Sequence, residues 1–247
     1  TYTLTVNNVE DESGTPITPL TTAPFTHEAA QRVTDGLVVL YDFGEGAGAT
    51  VNDVSGIGTP MNLTINDTNA VTWTDGGLRF DSAARAATAS SATKIIDACM
   101  ASNELTLEAW VLPAAASQGG PARIMSLAPH ANSCNVMLGQ GADDNSAADT
   151  YIVRLRTSET SDNGQPAVVS PAGTATAGLQ HVVYTRDAFG DVALYVDGDP
   201  VATATVAGDF SPWQINYRFV LANEYTLSVP WLGEYKLAAV YARALSV

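Results

Sequence analysis

The sequence is poor in positive charge. Its 247 residues include 11 lysines and arginines against 26 acidic residues, a formal net charge of −15, and only Lys94 and Lys236 are lysines. Because such a surface repels phosphate backbones and anionic lipids, we expect no nucleic-acid partner. Apolar stretches are also short. None reaches the roughly 18 residues that a membrane-spanning helix needs, so we expect no membrane insertion.

Cysteine and histidine are scarce as well, with two and three copies. Cys99 and Cys134 are too few to define a disulfide framework, so one disulfide and two separate buried thiols both remain open. The histidines are far apart, and neither His-Glu-x-x-His nor Gly-x-Ser-x-Gly occurs. A compact cluster of carboxylates, as in sandwich glucanases, is also missing. These absences argue against an enzyme.

The first 34 residues are predicted to form a strand and an extended arm. Tyr2, Leu4 and Val6 alternate with threonines, which is typical of a half-buried strand. Residues 10–34 lose this periodicity and are rich in proline and threonine, which indicates an arm or linker. A lone strand must find a sheet. It can pack on its own domain, belong to an upstream repeat, or act as an assembly strand that completes a neighbouring subunit.

Residues 35–247 are predicted to form one all-β domain. Roughly a dozen short strands alternate with turn signals such as Asp197-Gly198, which indicates a two-sheet antiparallel sandwich. The stretch that begins at Ala92 is the one plausible helix, and it is short. In the strand 105–113, Leu105, Leu107, Ala109 and Val111 share one side.

Four segments carry a more specific pattern: 36–46 with 52–56, then 105–111, then 181–186 with 194–198, and finally 232–245. In this order and spacing they resemble the laminin-G-like, concanavalin-A-like jelly-roll domains of bacterial surface and secreted proteins. The resemblance implies two sheets packed face to face, with the first and last segments side by side. It also implies an extracellular or cell-surface location. We expect Trp110 to fill the core between the sheets, with Glu108 opposite it or at a rim.

A candidate sugar site lies in residues 210–231. Lectin-like sites stack an aromatic ring on a sugar and surround it with amides and carboxylates. This composition predicts a ligand site formed by Trp213, Tyr217, Asn223, Glu224 and Tyr225. The alternative is that the tryptophans of this stretch are packing residues at the edge of the sandwich.

Calcium is the one cofactor that the sequence suggests. The loop 141–149 concentrates Asp143, Asp144 and Asp149, and hard cations bind such clusters of oxygen ligands. A solvated loop tip is the alternative. The resemblance implies a second possible calcium site that includes Glu45 and Asp53, although an aspartate common in the family's last segment is replaced near Lys236.

These observations favour an extracellular, non-catalytic binding or adhesion module, with a carbohydrate or a surface partner as its ligand. The second hypothesis is a structural subunit of an extracellular filament, assembled by donor-strand addition through Tyr2, Leu4 and Val6. A glycan-degrading enzyme is the third.

Overall fold

The computed structural model describes residues 2–3, 13, 24–25, 32–141 and 147–245. The chain forms two compact units, Thr1–Thr34 and Asp35–Val247. In the first unit, strand β1 (Tyr2–Thr3) pairs antiparallel with strand β2 (Pro24–Phe25). Leu4 and Val6 lie outside the described residues, so the assembly hypothesis stays a prediction.

In the second unit the regular secondary structure is almost entirely β-strand. One α-helix, α1 (Thr93–Ser102), and a 3-10 turn (Thr68–Ala70) interrupt the strands within the described residues. No described helix is long and apolar enough to cross a membrane. The strands are β3 (Leu37–Tyr41), β4 (Thr50–Val51), β5 (Leu63–Ile65), β6 (Val71–Thr74), β7 (Gly77–Phe80), β8 (Ala86–Thr88), β9 (Leu105–Pro113), β10 (Ala122–Leu127), β11 (Val136–Gln140), β12 (Tyr151–Leu155), β13 (Val168–Val169), β14 (Gln180–Arg186), β15 (Asp191–Val196), β16 (Asp199–Thr205), β17 (Phe219–Leu221) and β18 (Gly233–Tyr241).

These strands form two antiparallel sheets. The first has the spatial order β13-β12-β11-β10-β17-β8-β5-β4, and the second has the order β16-β15-β14-β9-β18-β7-β6. Strand β18 is central to the second sheet, because it pairs with β9 on one side and with both β3 and β7 on the other. The first and last strands of the unit are therefore neighbours, as expected for a jelly-roll sandwich.

The alternation of residues along the strands determines which side chains form the core. In β9, Leu107, Ala109 and Val111 belong to the main buried cluster between the sheets, and in β14 Val182 and Tyr184 do the same. Helix α1 adds its own apolar side chains to this cluster and ends at Asn103, whose left-handed backbone (φ 56°) suits asparagine.

The two cysteines are free thiols. Cys99 lies in α1 within the main core, whereas Cys134 belongs to a separate cluster with Met137 and Ile152. Met137 and Ile152 alternate with core residues along β11 and β12, so this second cluster lies on the outer side of the first sheet. Of the two alternatives for the cysteines, the structure therefore has the two separate buried thiols.

Candidate functional site

The outer face of the second sheet carries Trp110 at its centre. Because Ala109 and Val111 point into the core, Trp110 points outward, and it is 37% exposed. The expectation that Trp110 fills the core was wrong. Its size suggested burial, but the alternation along β9 decides its direction. Glu108 lies on this same outer face, between Val183 of β14 and Ala239 of β18, so neither expected position, opposite Trp110 or at a rim, was right.

Trp110, Glu108 and His181 form one connected group. His181 is the direct cross-strand neighbour of Trp110, and the two rings stack with centroids 4.5 Å apart and planes 15° apart. The His181 Nε2 atom lies 3.1 Å from Glu108 Oε1, and the hydroxyl of Tyr241 donates to Glu108 Oε2 at 3.3 Å. These contacts hold both ring and carboxylate in place.

The surroundings of this group are unusually apolar for an outer sheet face. Leu237 of β18 is the other direct neighbour of Trp110, and Val183 of β14 is the direct neighbour of Glu108. Both are partly exposed, as is Tyr195, which pairs with Val183. We call the surface formed by Glu108, Trp110, His181, Val183, Tyr195 and Leu237 the β9 platform. It combines an exposed aromatic ring with partly exposed apolar side chains, and the Glu108 carboxylate beneath the ring pair is only 7% exposed.

The five residues predicted to bind a ligand do not form one open surface. Trp213 is only 3% exposed, stacks on Phe210 at 4.5 Å and donates from its indole nitrogen to the Arg156 carbonyl at 2.8 Å. It is a packing residue, so it has no free face for a sugar. Trp231 is likewise buried, with its indole nitrogen bound to Gln140 Oε1. For these tryptophans the packing alternative holds.

Asn223 and Glu224 are also fully buried, while Tyr217 and Tyr225 are partly exposed. The Glu224 carboxylate accepts bonds from the backbone and hydroxyl groups of Thr226 and Ser228. Burial alone would raise the pKa of Glu224, but these hydrogen bonds outweigh it and hold the pKa below its usual value. Asn223 and Glu224 thus brace the loop that carries Tyr225 and do not face a ligand.

The predicted calcium ligands are only partly described. Asp143 and Asp144 lie outside the described residues, and Asp149 is partly exposed. Among the residues that the structure does describe, no three histidine, cysteine or acidic side chains come together in a way that could hold a metal ion. Calcium at this loop stays a prediction.

A lysine is paired with Asp53, one of the two residues suggested for the second calcium site. The Lys94 ammonium group lies 2.6 Å from Asp53 Oδ2, and the Asp53 side chain has no exposed surface. Burial would raise the pKa of Asp53, yet hydrogen bonds from Lys94, Ser55 and Met61 hold the pKa below its usual value. Asp53 is therefore already paired with a cation that the chain itself supplies.

A shallow groove of about 520 Å³ lies at one end of the sandwich. The loops 114–120 and 228–232 form its walls, and none of its lining residues is aromatic or charged. Its most versatile polar group, the Gln118 amide, is already bonded to the backbone of Leu232 and to Gln140. The β9 platform offers a ligand more specific chemistry than this groove does.

The fold is a jelly-roll sandwich whose second sheet carries an exposed aromatic platform on its outer face. The chain belongs to the concanavalin A-like lectin/glucanases superfamily, whose laminin-G-type family model matches residues 81–247. The earlier resemblance to this family is confirmed. No curated protein matches the chain by sequence.

Solved structures with the same fold include toxin and enzyme domains. A structure of botulinum neurotoxin type C, a toxin whose cell entry is described as dependent upon interaction with two ganglioside molecules, has a TM-score of 0.61 at 12% identity over 86% of this chain and 49% of the toxin chain. Domain 4 of an extracellular arabinanase from Geobacillus stearothermophilus, in complex with arabinotriose, has a TM-score of 0.58 at 18% identity over 85% of this chain and 94% of that domain. A Trypanosoma rangeli sialidase in complex with sialic acid has a TM-score of 0.58 at 16% identity over 85% of this chain and 31% of the enzyme. The chain thus spans about half of the toxin domain, and these identities establish the fold alone.

Proposed function

We propose that this chain is a non-catalytic, extracellular carbohydrate-binding module that binds a neutral sugar on the β9 platform. The observation that carries the proposal is the exposed indole of Trp110, which is stacked on His181. A sugar presents an apolar face that packs on such an aromatic ring. Glu108 is only 7% exposed and serves to hold His181 in place. A net charge of −15 favours a neutral ligand over a highly anionic one.

The preorganisation of the platform supports this function. The Trp110 ring is stacked on His181, and Glu108 is held from two sides by His181 and Tyr241. Side chains that are already ordered lose little conformational entropy when a ligand binds. The relatives with this fold include an arabinanase domain in complex with arabinotriose and a toxin domain linked to gangliosides, which supports a glycan as the ligand class.

The spacing of acidic residues on this face supports binding over hydrolysis. On the β14 side, the Asp197 carboxylate accepts a bond from the backbone of His181 at 2.8 Å. On the β18 side, the acidic residue is Glu234, which lies opposite Leu112, four residues from Glu108 along β9. Four residues of strand span roughly 13 Å. Glycosidases usually place their two carboxyl groups about 5–10 Å apart. Glu234 is moreover already bound to Lys236 and Thr74.

The test is isothermal titration of the full chain with arabinotriose and with the trisaccharides of glucose, galactose and xylose. Trp110→Ala should weaken the binding of the recognised sugar by about tenfold to a hundredfold, because central tryptophans contribute about 2 kcal/mol or more to such contacts. Phe189→Ala is the matched control, since Phe189 is 89% exposed and lies in the turn between β14 and β15, outside the platform.

Tryptophan fluorescence provides a second readout. Trp110 is the most exposed of the four tryptophans, so a bound sugar should shield it from an added quencher. Trp110→Phe should remove the ligand-dependent change while the protein stays folded. Binding that is equal in wild type and Trp110→Ala would refute the proposed site, and the release of reducing sugar from any probe would refute the non-catalytic function.

A further inference from the structure

Two arginines lie over one tyrosine ring on the first sheet. The guanidinium carbons of Arg85 and Arg218 are 4.3 and 4.4 Å from the centroid of the Tyr225 ring, and Arg218 also donates to the Tyr225 hydroxyl. Arg85 immediately precedes β8 and Arg218 immediately precedes β17, two antiparallel neighbours. All three side chains are partly exposed. Both guanidinium groups therefore lie against one ring, and their side chains reach solvent.

These two arginines have no carboxylate partner among the described residues, in contrast to most other basic side chains of the chain. Arg79, Lys94, Arg156, Lys236 and Arg243 each form an ion pair with an aspartate or glutamate. Acidic residues outnumber basic ones by 26 to 11, so carboxylates are not in short supply. The positive charge at Tyr225 is left available for an external anion.

The chain holds this group in a fixed geometry. Asn223 accepts bonds from the backbone of Glu224 and Val229 and donates from its side chain to the carbonyl of Ala84, the residue before Arg85. Glu224 braces the rest of the loop through its carboxylate. The loop that carries Tyr225 is thereby tied to the strand that carries Arg85, so little ordering is needed when a ligand binds.

We propose that Arg85, Arg218 and Tyr225 form a binding site for a single oxyanion, the carboxylate or sulfate group of an acidic sugar. Guanidinium groups bind planar and tetrahedral oxyanions through paired N–H donors, and the phenol hydroxyl adds a further donor. The large negative net charge disfavours polyanions, so an isolated charge on a short oligosaccharide is the better ligand. This site belongs to the first sheet and the β9 platform to the second. The choice of a sugar as the carrier of the anion rests on the proposed function, whereas the anion site does not.

The experiment compares three probes by titration with the full chain: a trisaccharide that carries one galacturonic acid residue, the methyl ester of that trisaccharide, and a galactose trisaccharide with one sulfate ester. We expect the free acid or the sulfated sugar to bind and the neutral ester to bind at least tenfold more weakly. Whichever anionic probe binds more tightly identifies the oxyanion. Affinity should fall when sodium chloride is raised from 50 to 500 mM, because salt screens exposed charges.

Matched variants locate the site. Arg85→Gln and Arg218→Gln should each weaken the binding of the anionic probe by about tenfold, while the corresponding lysine variants should retain part of it. Arg243→Gln, which changes a solvent-exposed arginine paired with Asp35, should leave binding unchanged. Thermal unfolding of each variant confirms that it is folded.

Equal affinity for the acid and the ester would overturn the proposal, as would wild-type affinity in both glutamine variants or no binding of either anionic probe. Trp110→Ala should retain the anion site, because that residue lies on the other sheet. Loss of neutral-sugar binding alone in Trp110→Ala, and loss of anion binding alone in the arginine variants, would separate the two sites.

Discussion

Replacement of Lys94 by methionine should destabilise the protein by removing the partner of a buried carboxylate. The Lys94 side chain is 18% exposed and that of Asp53 is 0% exposed, so the pair is largely shielded from water. Loss of one partner from a buried ion pair costs about 3–5 kcal/mol. Asp53 keeps three backbone donors, from Leu40, Ser55 and Met61, at 3.0–3.2 Å. We therefore expect a loss near the lower limit, about 3 kcal/mol.

The loss should depend on pH in a defined direction. The pKa of Asp53 is depressed in the folded protein, so its contribution to stability is present at neutral pH and is lost as pH falls through that folded pKa. In Lys94→Met the burial of Asp53 is less well compensated, which raises the pKa of Asp53. The variant protein can then fold with Asp53 protonated. The two proteins should therefore differ most at neutral pH and converge only as pH falls through the depressed pKa of Asp53 in the wild type.

Thermal and urea unfolding at pH 7.5, 5.5 and 3.5 test this prediction. A loss of 3 kcal/mol corresponds to a decrease in Tm of about 6–12 °C for a chain of this size. The control is Arg79→Met, whose pair with Asp81 is exposed at 47% and 39% and should contribute at most about 1 kcal/mol. A double variant with Asp53→Asn should recover part of the loss. If Lys94→Met loses less than about 1 kcal/mol and shows no pH dependence, the reasoning is refuted.

Three further predictions concern other parts of the sandwich. Cys99 and Cys134 should not react with a thiol reagent in the native protein, and both should react in denaturant. The reason is that burial raises the pKa of Cys134 to about 11 and raises the pKa of Cys99 further. A fast reaction in the native protein would contradict their burial. Gly233→Ala should cost about 1–3 kcal/mol in urea unfolding, since a Cβ atom there would lie 2.4 Å from the Trp231 ring on a backbone with φ of 150°. Calcium at the loop 141–149 should raise Tm relative to a chelator, and Asp149→Ala should reduce that increase; an equal Tm with and without calcium would count against the site.

The fold could be predicted from the sequence because its signals are local. Alternation of apolar residues and turn pairs such as Asp197-Gly198 predicted the antiparallel sandwich, and the helix that begins after Ala92 was also found. The concanavalin-A-like pattern supplied the family. These features depend on residues that are near one another in the chain.

The candidate sites were harder to predict because they depend on long-range register. The alternation of residues along β9 indicates that Trp110 points outward. The expectation that it is buried came from the usual burial of tryptophan side chains. Composition drew attention to Trp213, which only the fold shows to be a packing residue. Arg85 lies near Tyr225 because β8 pairs antiparallel with β17, which places the residue before β8 at the end of β17, and no local pattern indicates that pairing.

The central position of β18 affects how the sandwich folds during synthesis. Strands β9, β3 and β7 are made early, yet each pairs with residues 233–241, which the ribosome produces much later. Until then their edges lack a partner, and unpaired strand edges promote aggregation. Folding that depends on such distant contacts is slow. The strong negative charge, which keeps incomplete chains apart, therefore protects the nascent protein during the interval before its sheet can close.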